Sequence, residues 1–133
     1  MILSPEEFVA LRASEDPDEY RRSSIEHADI GVWLQVIDRF PDFRKWVAHN
    51  KTIPEEVIRI LATDPNEEVR WTIAMKRGIP ADVLANLSGD NDETIRNRIA
   101  RHPRVSRAIL LRLSDDPSAV VADVARRRLA DAT

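Results

Sequence analysis

Three aspartates, Asp64, Asp90 and Asp116, stand 26 residues apart, and the positions around them keep the same step. Leu61, Leu87 and Leu113 repeat at that interval. So do Val57, Val83 and Ile109; Ile58, Leu84 and Leu110; and Ile53, Ile79 and Val105. Val69-Arg70 returns as Ile95-Arg96 and, upstream, as Phe43-Arg44. Val47-Ala48 becomes Ile73-Ala74, then Ile99-Ala100 and, after one deletion, Val124-Ala125. So many columns in step mark a repeat architecture, in which each unit buries its apolar face against its neighbours.

Each unit reads as two short helices. The first opens at Ile53-Pro54-Glu55-Glu56, where proline suits the first turn and the glutamates meet the positive end of the helix dipole. Val57, Ile58 and Leu61 then share one face. Asp64-Pro65-Asn66-Glu67 reads as the second start, with Asp64 as the cap, and Lys76-Arg77-Gly78 closes that helix with basic residues and a glycine. Ser4-Pro5-Glu6-Glu7 is a further capping box, and Tyr20-Arg21 copies Val69-Arg70. Ile30 to Arg39 forms another first helix, with Trp33, Leu34 and Ile37 inward. The expected architecture is all-α: one domain over 1–133, a right-handed α-solenoid of about five helix pairs. The units fall at 1–27, 28–50, 51–77, 78–102 and 103–133.

Composition narrows the function classes. Glycine is scarce, at three, and β-type alternation is absent, which argues against strands. The chain has no cysteine, which removes disulfides, thiolate metal sites and a cysteine nucleophile. MILSPEEF has no basic start, and no apolar run is long enough to span a bilayer, so a cytoplasmic protein without membrane contact is expected. Charge is uneven: residues 1–67 carry a net of −6 and residues 68–133 a net of +3. Drift between solvated faces and a polar partner at one end both account for that.

The Asp64…Val69-Arg70 and Asp90…Ile95-Arg96 spacing resembles HEAT repeats. The short unit is closer still to the leucine-rich-repeat-variant group, through Val47-Ala48-His49-Asn50, Pro54, Ile58, Leu61-Ala62 and Asp64-Pro65. The resemblance implies a HEAT-like α-solenoid whose aspartates and arginines form a ladder: Asp38, Arg44, Asp64, Arg70, Asp90 and Arg96. The last ladder arginine is replaced, around Val121-Ala122. Such families share architecture rather than activity. The ladder ion pair is expected either within one helix pair or to the next repeat.

On a helical wheel the core arc of the second helix holds Val69, Ile73, Ala74 and Arg77, and the opposite arc holds Glu68, Trp71, Thr72 and Met75. Equivalent outward positions are Asp42, Lys45, Trp46 and His49 upstream, and Thr94, Asn97, Arg98 and Arg101 downstream. In HEAT-like solenoids the second helices line the concave surface. The expected contact residues for a protein or peptide partner are therefore Lys45, Trp46, His49, Trp71, Met75, Asn97, Arg98 and Arg101. Packing of Trp46 and Trp71 between repeats is the competing reading. A regulatory adaptor and an immunity-type inhibitor both suit a module of this size. The rival class is nucleic-acid binding, with Arg98, Arg101 and Arg104 on phosphates. The three histidines lack ligand spacing, and the paired acids sit at helix starts, so no catalytic residue, metal or cofactor is expected.

Overall fold

Proline, serine and aspartate set the helix starts in the computed structural model, which describes residues 1–131. Ten α-helices follow among the described residues: α1 Pro5–Ala13, α2 Pro17–Ile25, α3 Ile30–Arg39, α4 Arg44–His49, α5 Glu55–Leu61, α6 Glu67–Ala74, α7 Ala81–Leu87, α8 Glu93–Arg101, α9 Arg107–Leu113 and α10 Ala119–Asp131. A 3-10 turn, Pro41–Phe43, leads into α4. The only bridge of β type among the described residues is an isolated one between Ile2 and Ala28. The last two positions of the fifth expected unit lie outside the described residues.

The chain divides into two compact units, Met1–Ile73 and Ala74 onward. In the first, α1 packs on α2 and α3, α3 on α4 and α5, and α4 on α2 and α5. Phe8 and Trp33 are fully buried and meet edge to face, with ring centroids 5.2 Å apart. In the second unit, α8 packs on α7 and α9, and α10 packs on both α8 and α9. Two of the repeated apolar columns are buried throughout: Val57, Val83 and Ile109, and Leu61, Leu87 and Leu113. Leu34 departs from expectation, since it is 40% exposed while Trp33 and Val36 are buried. Leu34 lies about 100° round the helix from Trp33, whereas Val36 returns to the same face.

Helices α6 and α8 start two residues later than expected. Asp64 Oδ1 accepts from the Asn66 N–H at 2.9 Å, and Asn66 Oδ1 then accepts from the Glu68 N–H at 2.8 Å. Asp90, Asp92 and Thr94 copy both bonds, at 2.9 and 2.8 Å. Asn66 and Asp92 are therefore the residues that serve α6 and α8, and Asp64 and Asp90 shape the turn before them. Ser14, Asp16 and Asp18 form the same two steps before α2, at 3.1 and 2.9 Å. That alignment places Tyr20, rather than its neighbour Arg21, in the column of Arg44, Arg70 and Arg96. In the capping box at α1, Ser4 Oγ accepts from the Glu7 N–H at 3.0 Å, but Glu7 reaches back to the Leu3 N–H at 3.2 Å instead of that of Ser4.

The ladder arginines make two kinds of contact. Arg70 and Arg96 donate to the backbone carbonyls of Asp64 and Asp90 in their own helix pairs, at 2.8 and 2.9 Å. Carboxylate contacts go to the following pair. Arg96 is bidentate on Asp116, at 2.9 and 3.1 Å, while Arg44 makes a single, longer contact with Asp64 at 3.4 Å. Asp38 is exposed and stands in no ion pair among the described residues, and Arg44 donates instead to the Ile37 carbonyl at 2.8 Å.

Helix C-termini are finished in a way the sequence did not suggest. No described residue, Gly78 included, has a positive φ, so no left-handed cap closes any helix. Side chains of a later helix pair supply donors instead. Asn50 Nδ2 donates to the Ser23 and Glu26 carbonyls, both at 2.9 Å. His102 Nε2 donates to the Lys76 carbonyl at 2.7 Å, and Arg128 donates to the Ala100 and His102 carbonyls at 2.8 and 2.7 Å. Asn50, Lys76, His102 and Arg128 are spaced by 26 throughout, while the buried pair Val124-Ala125 stands one residue short of that step from Ile99-Ala100, as the expected deletion has it.

Two stability predictions follow from these bonds. The Asp116 side chain is 5% exposed and that of Arg96 15%. Burial raises the Asp116 pKa, but Arg96 and the Ser118 N–H outweigh it and hold the carboxyl below its ordinary value. That contribution is full above the unfolded pKa and is lost as pH falls below it. Asp116→Ala should cost about 3 kcal/mol in urea denaturation, against less than about 0.5 kcal/mol for Asp123→Ala, whose pair with Arg127 is exposed.

His102 is fully buried and accepts the Arg104 N–H at Nδ1, 3.0 Å away, so its proton sits on Nε2. Burial, then the nearby Arg98, Arg104 and Arg128, hold its pKa below 6.5, and stability should fall as pH drops through that value. Asn50 performs both roles with an amide. His102→Asn should therefore stay within about 1 kcal/mol of wild type and lose that pH dependence, whereas His102→Ala should cost about 2–3 kcal/mol. Equal losses for Asn and Ala would refute the paired roles.

Candidate functional site

The first unit holds a cleft of about 260 Å³ lined by Arg12, Tyr20, Ser23, Ser24, Trp46 and His49. Three helices position it. Arg12 lies in the last turn of α1, the Tyr20, Ser23 and Ser24 side chains come from α2, and Trp46 and His49 lie one turn apart on α4. The Arg12 guanidinium lies 3.3 Å over the Trp46 ring and 4.0 Å over the Tyr20 ring. Trp46 is stacked in turn with His49, with centroids 5.4 Å apart and planes at 21°. Cation–ring contacts of this kind range from about 0.5–1 kcal/mol when exposed to about 2 kcal/mol when desolvated. Two on one guanidinium fix its plane. Arg12 Nε is buried and has no hydrogen-bond partner.

Trp46 and His49 of the expected contact residues meet here. Lys45 lies 5.1 Å from the Trp46 ring and pairs with Glu68 at 3.3 Å. Trp46 is half-buried, and the indole faces within its own unit rather than standing free. Trp71 and Met75 are 37% and 47% exposed. On α8 the expected residues do different things. Arg98 is half-buried and donates from Nε to the Ala74 carbonyl at 3.2 Å, which finishes a helix end. Asn97 keeps a buried Oδ1 with no partner. Arg101 is exposed and lines a wide groove of about 520 Å³ with Ala119, Val120, Asp123, Val124, Arg126 and Arg127.

Arg12 and Tyr20 were not among the expected residues. A wheel drawn on the second helices cannot reveal Arg12, which comes from a first helix. Tyr20 was aligned with the buried Val69, but its ring is exposed. The available signal was the paired turn bonds at Ser14 and Asp16, which fix the register of α2.

Among the described residues no three His, Asp or Glu side chains converge as metal ligands would, and no helix is long and apolar enough to cross a membrane. No family model, curated protein or solved structure matches this chain.

The cleft separates the two exposed-arc tryptophans energetically. Trp46→Ala should destabilise the protein by about 1 kcal/mol more than Trp71→Ala, because only Trp46 loses an arginine stacked on its face. Urea denaturation of both variants measures this. The reverse order would mean that the Arg12 contact contributes nothing.

Proposed function

We propose that this chain is a non-enzymatic module that binds a protein or peptide, built from HEAT-like repeats stacked as an α-solenoid. The observation that carries the reading is Trp71, an indole left 37% exposed on a second helix whose other outward residues are polar or flexible. Tryptophan can bury 150–250 Å² and is a frequent interface anchor. Single exposed aliphatic residues are ordinary, but an open indole on a face otherwise built for solvent is less so. Met75, 47% exposed, adds a side chain that adapts to irregular partners. The solenoid reading is supported within each unit: α1 packs on α3 and α3 on α5, while α2 packs on α4 and α8 on α10.

A second reading, contact with nucleic acid, is favoured by Arg101, Arg126 and Arg127 around one groove of the second unit. It is the weaker one. Arg127 is paired with Asp123 at 2.8 Å, and Arg98 is turned to a backbone carbonyl, so fewer cations remain for phosphates than the sequence suggests.

Affinity capture from an extract of the source cells separates the two. Tagged wild-type chain, Trp71→Ala and Arg101→Ala would each be used with and without nuclease. The expected result is a protein that survives nuclease and is lost with Trp71→Ala. A partner lost on nuclease treatment, or retained by both variants, would overturn the reading.

A further inference from the structure

We propose that the cleft of the first unit receives a carboxylate side chain from a peptide or protein partner, with Arg12 as its anchor. This deepens the binding reading above and rests on it.

The charge of Arg12 is the starting point. Its Nε is buried without a hydrogen bond, and among the described residues Arg12 stands in no ion pair. An arginine with rings over its face can offer only its N–H edge to anything further, and that edge fits a carboxylate. Glu7 and Glu26 pair with Arg22, and Glu68 with Lys45. No carboxylate lines the cleft, whereas two basic side chains, Arg12 and His49, do.

The other polar lining groups sharpen the choice. Ser23 Oγ donates to the Tyr20 carbonyl at 2.6 Å and Ser24 Oγ to the Arg21 carbonyl at 3.2 Å, so both hydroxyl protons are spent within α2. Their oxygens stay on as acceptors, so Arg12 is the permanently charged donor of the lining, and a carboxylate meets its N–H edge. Size points the same way. About 260 Å³ falls below the range of drug-sized pockets, roughly 300–1,000 Å³, and suits one inserted side chain. Phosphate is disfavoured, because a single guanidinium faces a dianion on a half of the chain that already carries −6. The stacked rings hold Arg12 in place before binding, which limits the entropy lost on capture.

The test is an NMR titration of the ¹⁵N-labelled full chain, following Arg12 Nε–H and the Trp46 indole N–H. The probes are Ac-Gly-Glu-Gly-NH₂, its glutamine counterpart, and inorganic phosphate at matched ionic strength. The glutamate peptide should shift both resonances saturably, with the glutamine peptide about tenfold weaker or more and phosphate silent. Arg12→Lys keeps the charge without the planar fork and should lose most of the response, while Trp46→Phe keeps a ring face and should retain it. Melting curves confirm that the variants fold, and the peptide pair on wild type decides the matter if they do not. Equal binding of the two peptides, a response to phosphate alone, or no shift with any probe would overturn the proposal. If these fail while a Trp71-dependent partner is captured, only the carboxylate cleft is lost. If the peptide binds but no partner is captured, it is the Trp71 reading that falls.

Discussion

The carbonyls that end α2, α6 and α8 are the constraint on which the packing of successive helix pairs depends. An α-helix leaves up to four carbonyls without internal partners, and a left-handed cap is the usual remedy. None is present among the described residues. A buried carbonyl left unmet costs about 1–3 kcal/mol. The remedy here is a donor from a later helix pair: Asn50 over the end of α2, and Arg98, His102 and Arg128 over the ends of α6 and α8. The donors tie one pair to another while completing its hydrogen bonds. A one-residue slip would break the caps and turn the apolar columns away from the core together.

Asn50 and His102 show why different residues can hold one column. Each is fully buried, donates to a carbonyl of an earlier pair and accepts the N–H two residues on, at Thr52 and Arg104. A neutral imidazole carries one N–H donor and one acceptor nitrogen, and an amide offers an NH2, which here donates twice, beside its acceptor oxygen. Arg128 retains only the donor half. Lys76 occupies the same column, and burial alone brings its pKa down to about 8. At Asn50, His102 and Arg128 the position supplies an N–H to an earlier carbonyl, so side-chain identity varies while the donor is kept.

That distinction explains what could be read from the residues. Columns such as Leu61, Leu87 and Leu113 keep one chemistry and are visible as periodicity, and they led to the all-helical reading with about ten helices. The column of Asn50, Lys76, His102 and Arg128 shares geometry rather than identity, and it was missed although its spacing is as strict. Arg98 has the same difficulty from the other side: as a letter it is a surface cation, and as a placed side chain it completes a helix end. Trp46 allowed two readings, and its half-buried position over Arg12 came from α1, a helix that no wheel on α4 can represent.

Tyr20 ties the candidate site to the ladder. Arg44 reaches Asp64 and Arg96 reaches Asp116, each 20 residues on. By the turn bonds at Ser14 and Asp16, the residue in the arginine column one pair earlier is Tyr20, and 20 residues on from it stands Phe40 rather than an aspartate. A phenol cannot form that rung. Asp38, two residues before Phe40, is exposed and stands in no ion pair among the described residues. The Tyr20 ring instead lies by Arg12, where it and Trp46 cover the guanidinium. An arginine at position 20 would place a second cation against Arg12 and could not stack as an electron-rich ring does. Tyrosine in the arginine column thus goes with an Arg12 that is covered by two rings and buried at Nε, with no carboxylate paired to it among the described residues.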